Sequence, residues 1–137
     1  MFGAKIIGNT MDVPQWVIDV VDSVESKYGF KLDNVFFKAA KNEDYRSGCY
    51  WHNCRSIELF FGEEKTDIRL WVVLHELAHA IQHIVVPETL TPNVKGKRRV
   101  VHNRAFFDMA KELYIRYGVL DTAAKHEYKT ARPLMVA

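Results

Sequence analysis

Two histidines four residues apart, with a glutamate beside the first, form the most specific chemical pattern in the chain: His75-Glu76-Leu77-Ala78-His79. On a helix these imidazoles lie one turn apart on one face, where both can reach a single metal ion. Zinc takes imidazole nitrogen, and a catalytic zinc keeps one position open for water, whose pKa it lowers toward neutrality. Glu76 would then serve as general base, accepting the water proton during attack on a peptide carbonyl and passing it toward the leaving nitrogen. Such a five-residue pattern also arises by chance. Here, however, its polar residues interrupt an otherwise apolar helix, where burying them without a partner is unfavourable and a bound ion would supply one. Zinc is the expected cofactor.

A third ligand has two candidates. His83 lies four residues beyond His79, but on a continuous helix it stands roughly 12 Å along the axis from His75, too far to share the ion. No glycine follows His79 to turn the chain sharply. His83 is therefore expected at the cleft rim, held by a hydrogen bond. His102 fits better as a metal ligand, because it opens the next helical pattern on the stripe His102, Phe106, Met109, Ala110 and Leu113 that should face the core. The alternative for His102 is a histidine simply packed against aromatic rings.

These motifs, HELAHAIQH at 75–83 and HNRAF at 102–106, resemble those of the SprT-like and WLM-type zincin peptidases, a minimal gluzincin-like group. The resemblance runs from the strand before Gly62 to Tyr117. It implies that His75, His79 and His102 bind zinc and that Glu76 is the base. It also implies a hairpin and strand ahead of the zinc helix, similar to Gly48-Cys49-Tyr50 and Ile57-Glu58-Leu59, whose edge can hold an extended peptide by backbone hydrogen bonds. Asn103 stands where the family usually has glycine, a change expected to matter little to ligation. No Cys-rich zinc ribbon follows, which weakens any DNA-linked role.

Several elements must position these residues. Val13 to Tyr28 carries apolar residues at helical spacing and ends near Gly29; Asn34 to Ala40 is rich in β-formers; and Gly48–Trp51 and Ser56–Phe61 flank a His52-Asn53 turn. A helix capped by Thr66 should run to about Val85, apolar around nearly its whole circumference and therefore buried on most sides. Thr89 to Arg99 reads as a connecting loop, a third helix should begin near Val101, and Asp121 should cap a last helix reaching Ala131. The expected fold is α+β and zincin-like: a small antiparallel sheet packed on a buried zinc-binding helix with flanking helices, in a single domain over residues 1–137.

Composition sets the remaining bounds. With 137 residues, 48% hydrophobic and 26% charged, the chain can bury a core and does not read as disordered. Net charge is +2, far from a dedicated DNA binder. The start lacks a signal-peptide pattern and the most apolar stretch is broken by charges, so a cytoplasmic, non-membrane protein is expected, with Cys49 and Cys54 as free thiols or, alternatively, as a pair across the hairpin. Lys95, Lys97, Arg98, Arg99 and Arg104 read as a solvated loop, although they could steer an acidic peptide or contact nucleic acid phosphates. Cys49, His52 and Cys54 are too few for a closed metal site. Tyr114, Tyr117, His126 and Tyr128 can each donate a hydrogen bond to an oxyanion, and none is assigned that role. The leading expectation is a zinc metallopeptidase acting on peptide or protein substrates. Its rivals are an ImmA/IrrE-like regulatory peptidase and a non-catalytic module with structural zinc that binds nucleic acid or protein.

Overall fold

A computed structural model of the chain describes residues 13–40, 47–92, 99–100 and 102–136. Helix α1, Gln15–Tyr28, starts after Pro14 and buries Val17, Val20, Val21 and Val24 on one face. It ends at Gly29, whose φ of 72° lies in the left-handed region that favours glycine. The buried carboxylate of Glu25 then accepts the Leu32 N–H at 2.6 Å, fixing the path from the helix into the first strand.

Strands β1 (Asn34–Lys38), β2 (Gly48–Trp51) and β3 (Ser56–Phe60) form a sheet in the order β1-β3-β2. This sheet is mixed, which corrects the expected antiparallel one: β2 runs antiparallel to β3, but β1 runs parallel to it. The cause is topological. A short turn at His52–Cys54, with Arg55 at φ 47°, folds β3 back along β2, so only antiparallel pairing is open to that pair. Because β1 docks on the other edge of β3 and runs opposite to β2, it must lie parallel to β3.

Helix α2, Asp67–Ile84, begins where Thr66 accepts the Arg69 N–H at 3.2 Å, in keeping with the sequence. Every residue from Leu70 to Gln82 is buried, because the helix packs against α1, β2, β3 and the two later helices α3 (Arg104–Arg116) and α4 (Leu120–His126). Full burial of a Leu or Ile such as Leu74, Leu77 or Ile81 contributes roughly 1.5–3 kcal/mol. This central helix is therefore held rigidly by its own apolar residues. Beyond it, Thr91–Pro92 (β4) and Arg99–Val100 (β5) pair antiparallel. Lys95, Lys97 and Arg98 fall outside the described residues, and Arg104 is exposed and paired with Asp108 at 2.9 Å.

Two helix boundaries differ from expectation. Asn103 caps α3, its side chain accepting the Phe106 N–H at 2.9 Å, so His102 precedes the helix and does not open it. Helix α4 has no side-chain cap and ends at His126, well short of Ala131. There Glu127 adopts an extended conformation that turns its carboxylate inward, and a 3-10 turn follows at Arg132–Met135. No helix among the described residues is long and apolar enough to cross a membrane.

Candidate metal centre

Helix α2 presents His75 and His79 one turn apart, and the segment entering α3 brings His102 to meet them. The Nε2 atom of His102 lies 3.3 Å from that of His75 and 3.0 Å from that of His79. One ring nitrogen from each residue lies within 4.8 Å of the others, close enough for all three to bind one metal ion. Asn103, next to His102, ties the entry of α3 to its surroundings. Besides capping α3, Asn103 accepts a hydrogen bond from Gln82 on α2 at 3.0 Å and donates one to the Thr89 carbonyl at 2.8 Å. Phe106 underlies the group, its ring stacked on His79 at a centroid distance of 4.2 Å.

The imidazoles are electrically distinct. Burial, helped by the positive charge of His75, pulls His102 down to about 4, and burial with neighbouring histidines holds His79 well below the usual range. Both are neutral at pH 7, the state that can ligate a metal. Burial also acts to lower His75, but its hydrogen bond to Glu127 and the charges of Glu76 and Glu127 outweigh it, leaving that group raised. The anionic surroundings that favour a proton on His75 equally favour a metal cation in its place.

Two buried carboxylates flank the group and differ in kind. Burial pushes Glu76 above the ordinary carboxylate range, and no hydrogen-bond donor to its side chain occurs among the described residues. Glu127 has the opposite environment. Although burial acts to raise it, hydrogen bonds and the His75 charge bring it below the ordinary range. Environments that drive paired carboxyl groups apart in this way separate a proton acceptor from a fixed anion.

A cleft of about 560 Å³ opens over these residues, lined also by Gly48, Cys49 and Tyr50 of β2 and by Tyr128, Lys129 and Arg132. Gly48 permits the close approach of β2 to α2. A Cβ there would stand 2.7 Å from Val72 Cγ1 and 3.0 Å from Glu76 Cγ, so any side chain would push against the Glu76 carboxylate arm.

The other singled-out residues fall elsewhere. His83 stands apart from the three, its Nδ1 2.8 Å from the Tyr50 hydroxyl and its ring stacked on His52. Cys49 and Cys54 are free thiols, and His75, His79 and His102 are the one group of three potential ligands found among the described residues. Of the possible oxyanion donors, Tyr114 is fully buried and bonded to Glu127, Tyr117 bonds Ser23, and His126 and Tyr128 line the cleft.

Glu127 escaped the sequence reading. One signal existed: Val119, Ala123 and Glu127 follow one another at four-residue spacing, so a charged residue falls where the last helix expected from the sequence would place an apolar one. No protein-family model, no curated protein and no solved structure matches the chain.

Proposed function

We propose that the chain is a zinc-dependent peptidase with a zincin-like arrangement, in which His75, His79 and His102 hold the ion and Glu76 is the general base. The donor set suits zinc: nitrogens about 2.0–2.1 Å from a tetrahedral ion stand about 3.3 Å apart, against observed separations of 3.3 and 3.0 Å. Zinc so held would act as a Lewis acid and lower the pKa of a water at its open position. The observation that carries the reading is geometric: three convergent imidazoles in an open cleft, with the buried Glu76 carboxylate beside them and no hydrogen-bond donor to it among the described residues.

From that position Glu76 accepts the proton of the attacking water and returns it to the departing amine. Gly48 keeps β2 close to the carboxylate, and the edge of β2 that no other described strand pairs offers backbone groups to an extended peptide in the manner of strand addition. Lys129 and Arg132 line the same cleft with no carboxylate of the described residues in ion-pair contact, which favours substrates carrying acidic side chains.

A structural zinc is closed by four protein ligands, whereas among the described residues three are grouped beside a cleft, which supports an enzyme over a zinc-stabilised binding module. The test is cleavage of a proteome-derived peptide library by the purified zinc-loaded protein, with and without chelator, alongside Glu76→Gln. Chelator-sensitive cleavage that the variant lacks is expected. A zinc-loaded protein that cleaves nothing, or a variant as active as the wild type, would overturn the reading.

A further inference from the structure

Resting on the metal-centre reading above, we infer that Glu127 is a positioning residue of that centre, an anion that fixes the tautomer and orientation of His75 and strengthens it as a ligand. This extends the site beyond the stretch that carries the motifs, to a residue 52 positions from His75.

The case begins with the hydrogen bonds. Glu127 Oε2 lies 3.0 Å from His75 Nδ1 and accepts the Tyr114 hydroxyl at 2.6 Å and the Trp71 indole N–H at 3.4 Å. Its other carboxylate oxygen accepts the Tyr128 N–H at 3.1 Å, and its main-chain carbonyl accepts Arg132 Nε at 2.8 Å. Trp71 and His75 lie on α2 and Tyr114 on α3, so the carboxylate is clamped between the two helices and cannot swing away from His75.

An ionised carboxylate only accepts hydrogen bonds. It therefore places the proton of a neutral His75 on Nδ1 and leaves the Nε2 lone pair directed at His79 and His102. An anion on the remote nitrogen also increases the electron density that the imidazole offers a cation. Partners of this kind are worth roughly 10- to 100-fold in metal affinity. Glu127 is not itself among the grouped ligand atoms, so its contribution acts through His75.

A purely structural role would give a different result. Glu127 is 1% exposed, so replacing it can destabilise the fold whatever its relation to the metal. The experiment is a chelator competition measuring zinc affinity of wild type, Glu127→Gln and Glu127→Ala, with the thermal midpoint of each metal-free protein recorded in parallel. Glu127→Ala should bind zinc roughly 10- to 100-fold more weakly. Glu127→Gln, which retains volume and one acceptor oxygen but not the charge, should recover part of that loss and remain roughly three- to tenfold weaker than the wild type. In the zinc-loaded wild type, long-range proton–nitrogen NMR should find His75 protonated at Nδ1, and coordination through Nδ1 instead would overturn the inference.

Affinity within twofold of wild type in Glu127→Ala, or unchanged affinity in Glu127→Gln, would overturn the inference while leaving the three-histidine site intact. Should Glu127→Ala fail to fold, Glu127→Gln decides the matter alone. A wild type that binds no zinc would overturn the metal-centre reading and this inference with it.

Discussion

Helix α2 carries two histidine pairs of identical spacing, His75 with His79 and His79 with His83, yet only the first pair belongs to the metal-ligand group. What separates them is what the neighbouring elements bring. At His75 and His79, the segment entering α3 delivers a third imidazole whose Nε2 lies within 3.3 Å of the other two. At His83, the β2 strand and its following turn deliver a tyrosine hydroxyl and the flat face of His52, stacked at 4.5 Å and 22°. A hydroxyl bond and a ring stack satisfy His83 without directing further lone pairs toward a common point. Four-residue spacing therefore makes ligation possible, and tertiary convergence decides it.

The largest way to sharpen this contrast is to remove the chemistry from the first group while keeping its metal. Glu76→Gln preserves size and should retain zinc, but peptide hydrolysis should fall by about 10²- to 10⁴-fold, the usual contribution of a general base. Rate measurements with zinc content determined on the same samples test this, and a fully active, zinc-loaded variant would refute the assignment. The next effect is on the metal. Ala at His75, His79 or His102 should weaken zinc binding by more than the ~100-fold upper range of outer partners, from one ion per chain in the wild type. His83→Ala should leave zinc content unchanged by metal analysis. Zinc retained in the His102 variant, or lost in the His83 variant, would reverse the comparison.

Features fixed by nearby residues were the most legible in the sequence. The α2 start at Thr66, the Gly29 stop and the turn between β2 and β3 depend on contacts a few residues apart, and each is written in local residue types. The parallel pairing of β1 with β3 is not, because it depends on which edge of a hairpin a distant strand meets. At the site, His102 was visible through its spacing to Phe106, but the helix start was misplaced because the Asn103 cap shifts it past the histidine. Glu127 was missed because its link to His75 spans 52 positions, including the whole of α3 and α4, although a charge at apolar spacing was the same kind of signal that drew attention to His75.

A smaller effect distinguishes the two groups through stability. Zinc binding only the folded chain at a free concentration 100 times its Kd stabilises it by about 2.7 kcal/mol, roughly 8 °C for a chain of this size. Chelation should thus lower the melting temperature of wild type and His83→Ala by similar amounts, and should leave His102→Ala nearly unmoved because little ion remains to be removed. Differential scanning calorimetry reads this directly, and an unchanged wild-type midpoint after verified metal removal would mean the ion contributes nothing to the fold.

The smallest effect comes from the rim itself. Tyr50→Phe deletes the hydroxyl 2.8 Å from His83 Nδ1 while keeping the ring that packs against the core. His83 is only half-buried, so water can replace the lost partner, and the cost should be no more than about 0.5–1.5 kcal/mol. That corresponds to a melting point lower by a few degrees at most. Zinc affinity should stay within about twofold of the wild type, since sites without shared partners behave additively. The informative outcome is the opposite one. If losing a single hydroxyl at the rim weakens zinc binding tenfold, then His83 and Tyr50 are coupled to the ligands through α2, and the two histidine groups form one site.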